Sequence, residues 1–337
     1  MARVRISDIA QEAGVSPATV SRYLNNRPGS MSEETRARIA EVIERTGYRP
    51  NSAARSLRTD RSYALGVILA DIRNPFSSAM LEELSTQAAQ KGYSLMTAVS
   101  GNDPETEAGA VERLLAAGVD GLVVNTCGGN DAALVRADAR VPVALLDRDI
   151  PGSPLDLVTS NNAELVMALV DELAQAGCAS CHLLTEHDAS SSIRHERAVR
   201  FERELASRGL AGSVCALDRD AQAAAGQLRA LAGCDADGAP TGLVAINGLV
   251  FLRLVEALHA ADLAVPTQAR VATFDEYVWN RALFGGVTTA AQDTHGIAAA
   301  LLERLFARMG AGDTDAPRGP RRIEIPGSII RRASTAA

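Results

Sequence analysis

Five histidines and five cysteines are the residues best suited to bind a metal or attack a substrate, and neither set is spaced for it. His182, His187, His195, His259 and His295 fall into no metal-ligand spacing with carboxylates or thiols. Cys178 and Cys181 have redox-motif spacing, but between a helix ending at Gly177 and a strand at His182–Leu184, not at the strand-to-helix turn that motif requires. With Cys127, Cys215 and Cys234 they read as buried thiols. No Gly-x-Gly-x-x-Gly follows a strand, and there is neither a phosphate loop nor a nucleophile elbow. The expectation is a non-enzyme with no cofactor and no metal. The chemistry that remains is recognition.

Its first carrier is the stretch Ile6 to Leu24, which reads as two short helices joined by a tight turn. Ser7 is positioned to cap the first helix, with Asp8 in its first turn. Gly14 stands where that helix must stop in a left-handed conformation. Ser16 caps the second helix and Pro17 takes its first position, where a missing N–H costs nothing. Ile9, Ala10, Ala13, Val15, Val20 and Leu24 close one small core, leaving Thr19, Ser21 and Arg22 on outer faces. The pattern fits a helix-turn-helix whose second helix enters the major groove of DNA, and also an ordinary helical hairpin.

Charge favours the first. Residues 1–62 carry a net charge of +4 and the remainder −11, within a total of −7. A basic head on an acidic body suits a head that meets nucleic acid and a body that does not. At 337 residues the chain should hold more than one core. No apolar run approaches a membrane span and no signal-like segment precedes the motif, so a cytoplasmic protein is expected.

The elements behind these residues follow from periodicity. Ser32 followed by Glu33 and Glu34 starts a third helix, ended by Gly47, with Ile39, Ala40 and Ile43 inward. Asn51 can cap one more short helix carrying Ala53, Ala54 and Leu57. From Tyr63 onward apolar strands alternate with helices: strands at Ala64–Leu69, Tyr93–Val99, Val119–Asn125, Val143–Leu146, Ser180–Thr185, Val214–Leu217, Gly242–Ile246 and Arg270–Phe274. Helices fill the intervals, one of them at His195–Arg208, and a last one spans Asp293–Met309. The fold class is an all-α helix-turn-helix headpiece plus an α/β core of two doubly wound parallel-sheet lobes.

Ile6 to Leu24, Ser32-Glu-Glu-Thr-Arg36, Gly47-Tyr-Arg-Pro-Asn-Ser-Ala-Ala-Arg-Ser-Leu57, Asp71-Ile-Arg-Asn-Pro-Phe76, Val119-Asp-Gly-Leu-Val123, Leu146-Asp-Arg148, Phe274-Asp275 and Thr288-Thr289 resemble, in this order, the lactose/galactose repressor family of bacterial transcription regulators. The resemblance runs over essentially the whole chain. It implies a headpiece at 1–49, a hinge at 50–62 and a periplasmic-binding-protein-like core at 63–337. The core's chain would cross between lobes near Ser160–Asn162, Ala290–Gln292 and Arg321–Pro326. Lobe 1 would then comprise about 63–161 plus 293–322, and lobe 2 about 162–292 plus 323–332.

The resemblance also implies roles. The base-reading positions are Pro17, Ala18 and Arg22, of which only Arg22 can pair with a guanine edge. Ser16, Thr19, Ser21 and Asn25 would hold phosphates or cap their own helix. Asn51 and Ala54 belong to the hinge, and Leu57 would wedge between base pairs beside its counterpart in a homodimer on a palindromic double-stranded operator; alternatively Leu57 packs against head or core. A small-molecule effector would sit at the strand ends between the lobes. Asn74 and Phe76 would line one wall, with Thr126, Arg148, Arg197, Asn247, Asp275 and Gln292 giving polar contacts. Trp279 would cover a sugar face or fill a lobe–lobe contact. Two arginines suit a sugar acid such as gluconate or 2-ketogluconate, unless one pairs with Asp147, Asp149 or Asp275. Gly248, where many members carry Asp, and Arg200, where Gly is usual, depart from the pattern. The competing reading is a periplasmic-class sugar-binding protein without DNA regulation.

Overall fold

The computed structural model describes residues 4–24, 31–48, 61–186, 191–232, 238–310 and 321–336. The expected roles of Asn25, Asn51, Ala54 and Leu57 fall outside these residues. The chain divides into two compact units, residues 1–62 and 63–337.

In the first unit, α1 spans Ile6–Glu12 and α2 Pro17–Leu24. The cap of α1 is Arg5, not Ser7. Asp8 reaches back to accept the Arg5 N–H at 2.8 Å, and Ser7, already inside the helix, donates its hydroxyl to the same carboxylate. A carboxylate three residues on outcompetes a hydroxyl one residue too late. Gly14 takes φ +64°, and Ser16 Oγ accepts the Thr19 N–H at 3.2 Å. The third helix, α3 (Glu33–Thr46), is capped by Ser32 and stopped by Gly47 at φ +61°. Ile9, Ala10, Ala13, Val20, Ile39 and Val42 form the buried core, with Val15, Leu24 and Ile43 against it. Val42 takes the inward place expected of Ala40, because 39, 42 and 43 share one face at i, i+3 and i+4.

The second unit holds two six-stranded sheets. Lobe 1 runs β11-β5-β4-β3-β1-β2, all parallel: β1 Ala64–Leu69, β2 Ser94–Val99, β3 Gly121–Val124, β4 Val143–Leu146, β5 Asp156–Ser160 and β11 Arg322–Ile325. Leu65, Val67 and Leu69 of β1 face a core shared with α4 (Pro75–Gln90) and α11 (Thr294–Gly310). Ile68 faces the other core, under α5 (Pro104–Ala116) and α6 (Asp131–Asp138). This is the two-sided burial that near-continuous apolar strands require.

Lobe 2 runs β12-β10-β9-β8-β6-β7: β6 Ser180–Thr185, β7 Ala211–Ala216, β8 Thr241–Ala245, β9 Ala269–Phe274, β10 Thr288–Ala291 and β12 Ser328–Ile330. All its pairs are parallel except β10 with β12. Its helices are α7 (Asn162–Gln175), α8 (Ser192–Arg208), α9 (Ala221–Ala232) and α10 (Gly248–Ala261). Cys178 and Cys181 lie buried in its hydrophobic core. Strand β7 begins three residues before the expected Val214, because Gly212 lies so close to the Cys181 carbonyl oxygen that a Cβ there would sit 1.8 Å from it.

Three crossings join the lobes and are tied to one another. Ser160 Oγ donates to Gln292 Oε1 at 2.7 Å, and the Gly327 N–H donates to Asn161 Oδ1 at 2.8 Å. Strand β11 stays paired with β5 through Ile325, so lobe 1 runs past the expected residue 322 and the third crossing falls at 326–327. Beyond β12, Arg332 pairs with Glu276 at 2.6 Å, and buried Ser334 donates to the Val271 carbonyl at 2.6 Å. Among the described residues no helix is long and apolar enough to cross a membrane.

Candidate functional site

The carboxyl ends of both sheets open on one cleft of about 360 Å³, counting its mouth. Seven of the residues singled out in the sequence line it: Asn74, Phe76, Arg148, Arg197, Asn247, Asp275 and Gln292. Asn74 caps α4 with its Oδ1 on the Phe76 N–H, which fixes the Phe76 ring beside it. Asn247 caps α10 in the same way, through the Val250 N–H at 2.9 Å. Both are strand-to-helix turns, where a capping amide keeps its NH₂ turned outward.

The two arginines are held by neutral groups. Arg148 Nη1 donates to Asn102 Oδ1 at 2.9 Å and to the Thr126 carbonyl at 3.2 Å. Arg197 donates Nε to Asn162 Oδ1 at 2.8 Å and Nη1 to the Ile246 carbonyl at 2.7 Å, and its guanidinium lies 3.8 Å from the Phe274 ring centre. Among the described residues no carboxylate stands within 4.0 Å of either, and Asp149 pairs instead with Arg322 at 3.2 Å. Burial pulls both guanidinium pKa values down, and pushes the carboxyls of Asp147 and Asp275 up. Asp275 accepts from Gln292 Nε2 at 2.5 Å, and Gln292 is itself held by Ser160. A third arginine, Arg194, lines the cleft while paired with Glu186 at 2.5 Å.

Asp147 and Asp275 occupy equivalent places, each directly after a central strand, at φ +66° and +72°. A left-handed backbone at a non-glycine residue stores strain, and such residues cluster at ligand clamps.

Two expected contacts stand elsewhere. Thr126 lies behind Arg148; its hydroxyl donates to Glu107 Oε1 at 2.7 Å, and the fully buried Glu107 also accepts the Cys127 N–H at 2.8 Å. Trp279 lies outside the cleft lining, because the 3-10 turn Val278–Arg281 aims it at the lobe 2 core and stacks it on Tyr277 at 4.8 Å. Sequence reasoning passed over Asn125, which also lines the cleft. Asn125 directly follows β3, so the strand-end rule reached its neighbour and stopped one residue late.

The departures from the family pattern have places too. At Gly248 a Cβ would lie 2.9 Å from Tyr277 Cε2 and 3.3 Å from Pro75 Cγ, so Gly248 lets α4 of lobe 1 come up against lobe 2. Arg200 sits within a continuous α8 and pairs with Glu204 at 2.6 Å; that helix starts at Ser192, earlier than expected.

On α2, Ser16, Pro17, Ala18 and Arg22 are exposed, while Thr19 and Ser21 are half-buried. The Ser16 and Thr19 hydroxyls lie 2.9 Å apart and cap the helix. Arg22 Nη2 donates to Thr19 Oγ1 at 3.5 Å, a weak hold on an exposed cation.

Residues 5–51 match the model for bacterial regulatory proteins of the lacI family, and residues 170–335 match a periplasmic binding protein-like domain. The HTH-type transcriptional regulator PtxS of Pseudomonas plecoglossicida is 35% identical over 99% of this chain and 96% of its own. The HTH-type transcriptional regulator KdgR of Bacillus subtilis is 32% identical over 98% and 97%. The lac repressor dimer bound to operator and the anti-inducer ONPF superposes with a TM-score of 0.80 at 23% identity, covering both chains completely. The short helices with an exposed Arg22, the paired lobes and these full-length matches agree: the chain belongs to the lacI family of bacterial regulatory proteins, a family of DNA-binding transcription regulators.

Proposed function

We propose that this regulator is a repressor that binds a palindromic operator as a homodimer and is released by a sugar acid of the gluconate or 2-ketogluconate type. The observation that carries the effector class is the cleft's charge. Among the described residues, Arg148 and Arg197 each keep guanidinium N–H groups without a protein acceptor and have no carboxylate within 4.0 Å. A buried cation with no carboxylate at contact distance is costly, and a ligand carboxylate reduces the cost. Asn74, Asn247, Asp275 and Gln292 supply the donors and acceptors that a chain of hydroxyls needs.

On the DNA side, Arg22 is the base reader on α2, and the exposed Pro17 and Ala18 offer only apolar contact. Leu57, which lies outside the described residues, is read as the minor-groove wedge on the strength of the family resemblance. Titration calorimetry with a panel of sugars and sugar acids tests the effector class, and binding restricted to neutral sugars rejects it. A gel shift on the upstream DNA with the bound acid titrated in tests the sign; operator binding that tightens would make the ligand a co-repressor.

A further inference from the structure

The lobe 2 wall of the cleft carries a feature that the arginines do not explain. The first turn of α8 opens there, and this helix of 17 residues ends in about half a positive charge. Its cap residue, Ser191, is 2% exposed and lines the cleft. A serine in this place ordinarily accepts an N–H from the first turn, yet Ser191 Oγ makes no hydrogen bond among the described residues. The N–H groups of Ser192 and Ile193 find no acceptor among the described residues either. Ser192 Oγ is engaged elsewhere, accepting the Asp149 N–H from lobe 1 at 2.8 Å. Buried polar groups left unsatisfied are few in native proteins, and the unpartnered Ser191 Oγ on the cleft wall, beside two open N–H groups of a helix end, marks the place of a missing partner. All three can donate, so the partner is an acceptor, and the helix end makes it an anion.

We infer that the first turn of α8 is a carboxylate subsite, in which Ser191 Oγ and the Ser192 and Ile193 N–H groups receive the acid group of the effector. Arg148 of lobe 1 lines the same cleft, with no acceptor on Nε or Nη2 among the described residues, so the anion joins the two lobes. Arg194, on the same turn, adds positive charge while paired with Glu186. Asp147 and Asp275 line the same cleft among the polar groups for the hydroxyls. The subsite rests on the sugar-acid reading above, and it adds an orientation: carboxylate toward α8, hydroxyls toward Asp275 and Gln292.

The test is calorimetry with gluconate and 2-ketogluconate on wild type, Ser191→Ala and Ser191→Asp, with thermal melting and operator binding as folding controls. Ser191→Ala loses one charge-assisted hydrogen bond and is expected to weaken gluconate about tenfold. Ser191→Asp places a carboxylate in the subsite and is expected to weaken it at least a hundredfold, with operator affinity retained. Gluconate affinity within twofold of wild type in Ser191→Ala, or undiminished in a folded Ser191→Asp, overturns the subsite and leaves the sugar-acid reading standing. Absence of heat with either acid in wild type overturns that reading, and the subsite with it.

Discussion

At the scale of single residues, Arg22 and Asp147 show two ways a charge is put to use. Arg22 is exposed and weakly held, so its guanidinium is available to another acceptor. A bidentate bond to guanine is worth about 1–3 kcal/mol of discrimination. Arg22→Ala is therefore expected to relax preference at one base pair of each half-site in a binding-site selection, and an unchanged consensus would remove it from base reading. Asp147 is buried, and burial pushes its carboxyl above the usual range. Between about pH 4 and that raised value the folded chain holds a proton that the unfolded chain has released. The contribution of Asp147 to stability thus declines as pH rises through that window. Asp147→Asn keeps a side chain that tolerates the left-handed backbone. It is expected to raise Tm over wild type at pH 7, with the difference closing toward pH 4. A lower Tm at pH 7 would show that attraction to Arg197 and Arg148 outweighs burial.

At the scale of elements, Gly248 limits how near the lobes come. A methyl group there meets the Tyr277 ring edge and Pro75, so Gly248→Ala is expected to weaken effector binding several-fold by calorimetry while leaving operator binding unchanged. Unaltered affinity would mean that the Tyr277 ring yields instead. The hinge makes the complementary prediction: Leu57→Ala should weaken operator binding without changing effector affinity, and equal operator affinity would sink the wedge. Legibility also divides at this scale. The helices and the apolar central strands were readable because one periodicity names each. Strands β5 and β10 were not, although both are buried, because Asp156, Thr288 and Thr289 look like loop residues. Their partners come from far along the chain: Arg304 donates to Asp156 at 2.8 Å, and the Thr288 N–H donates to Ser334 Oγ at 2.8 Å. Polar strands satisfied at such sequence distance carry no local signature. Cleft residues were legible where a strand end met a family motif, as at Arg148 and Asp275. Trp279 escaped because the direction of a short turn is set by packing.

At the scale of the molecule, the proposed mechanism is linkage between two units. If a sugar acid weakens operator binding by some factor, the operator must weaken acid binding by the same factor. Measuring both affinities with and without the other ligand checks this, and unequal factors would mean that a further equilibrium, such as dimer dissociation, is being counted. The charge division between head and body adds that operator affinity should fall linearly with the logarithm of salt concentration, while effector affinity in the buried cleft responds less.

The way the strands are interleaved has a consequence for the order in which the protein is made. Lobe 1 gains α11 and β11 only after all of the central strands of lobe 2, and lobe 2 gains β12 later still. The lobe 1 sheet is not whole until the ribosome has passed residue 325, nor the lobe 2 sheet until residue 330, whereas the helix-turn-helix and its third helix are finished by residue 48. Domains fold as units, and early ones fold first during synthesis. The nascent chain therefore carries a folded helix-turn-helix through the whole interval in which no cleft exists to sense the effector.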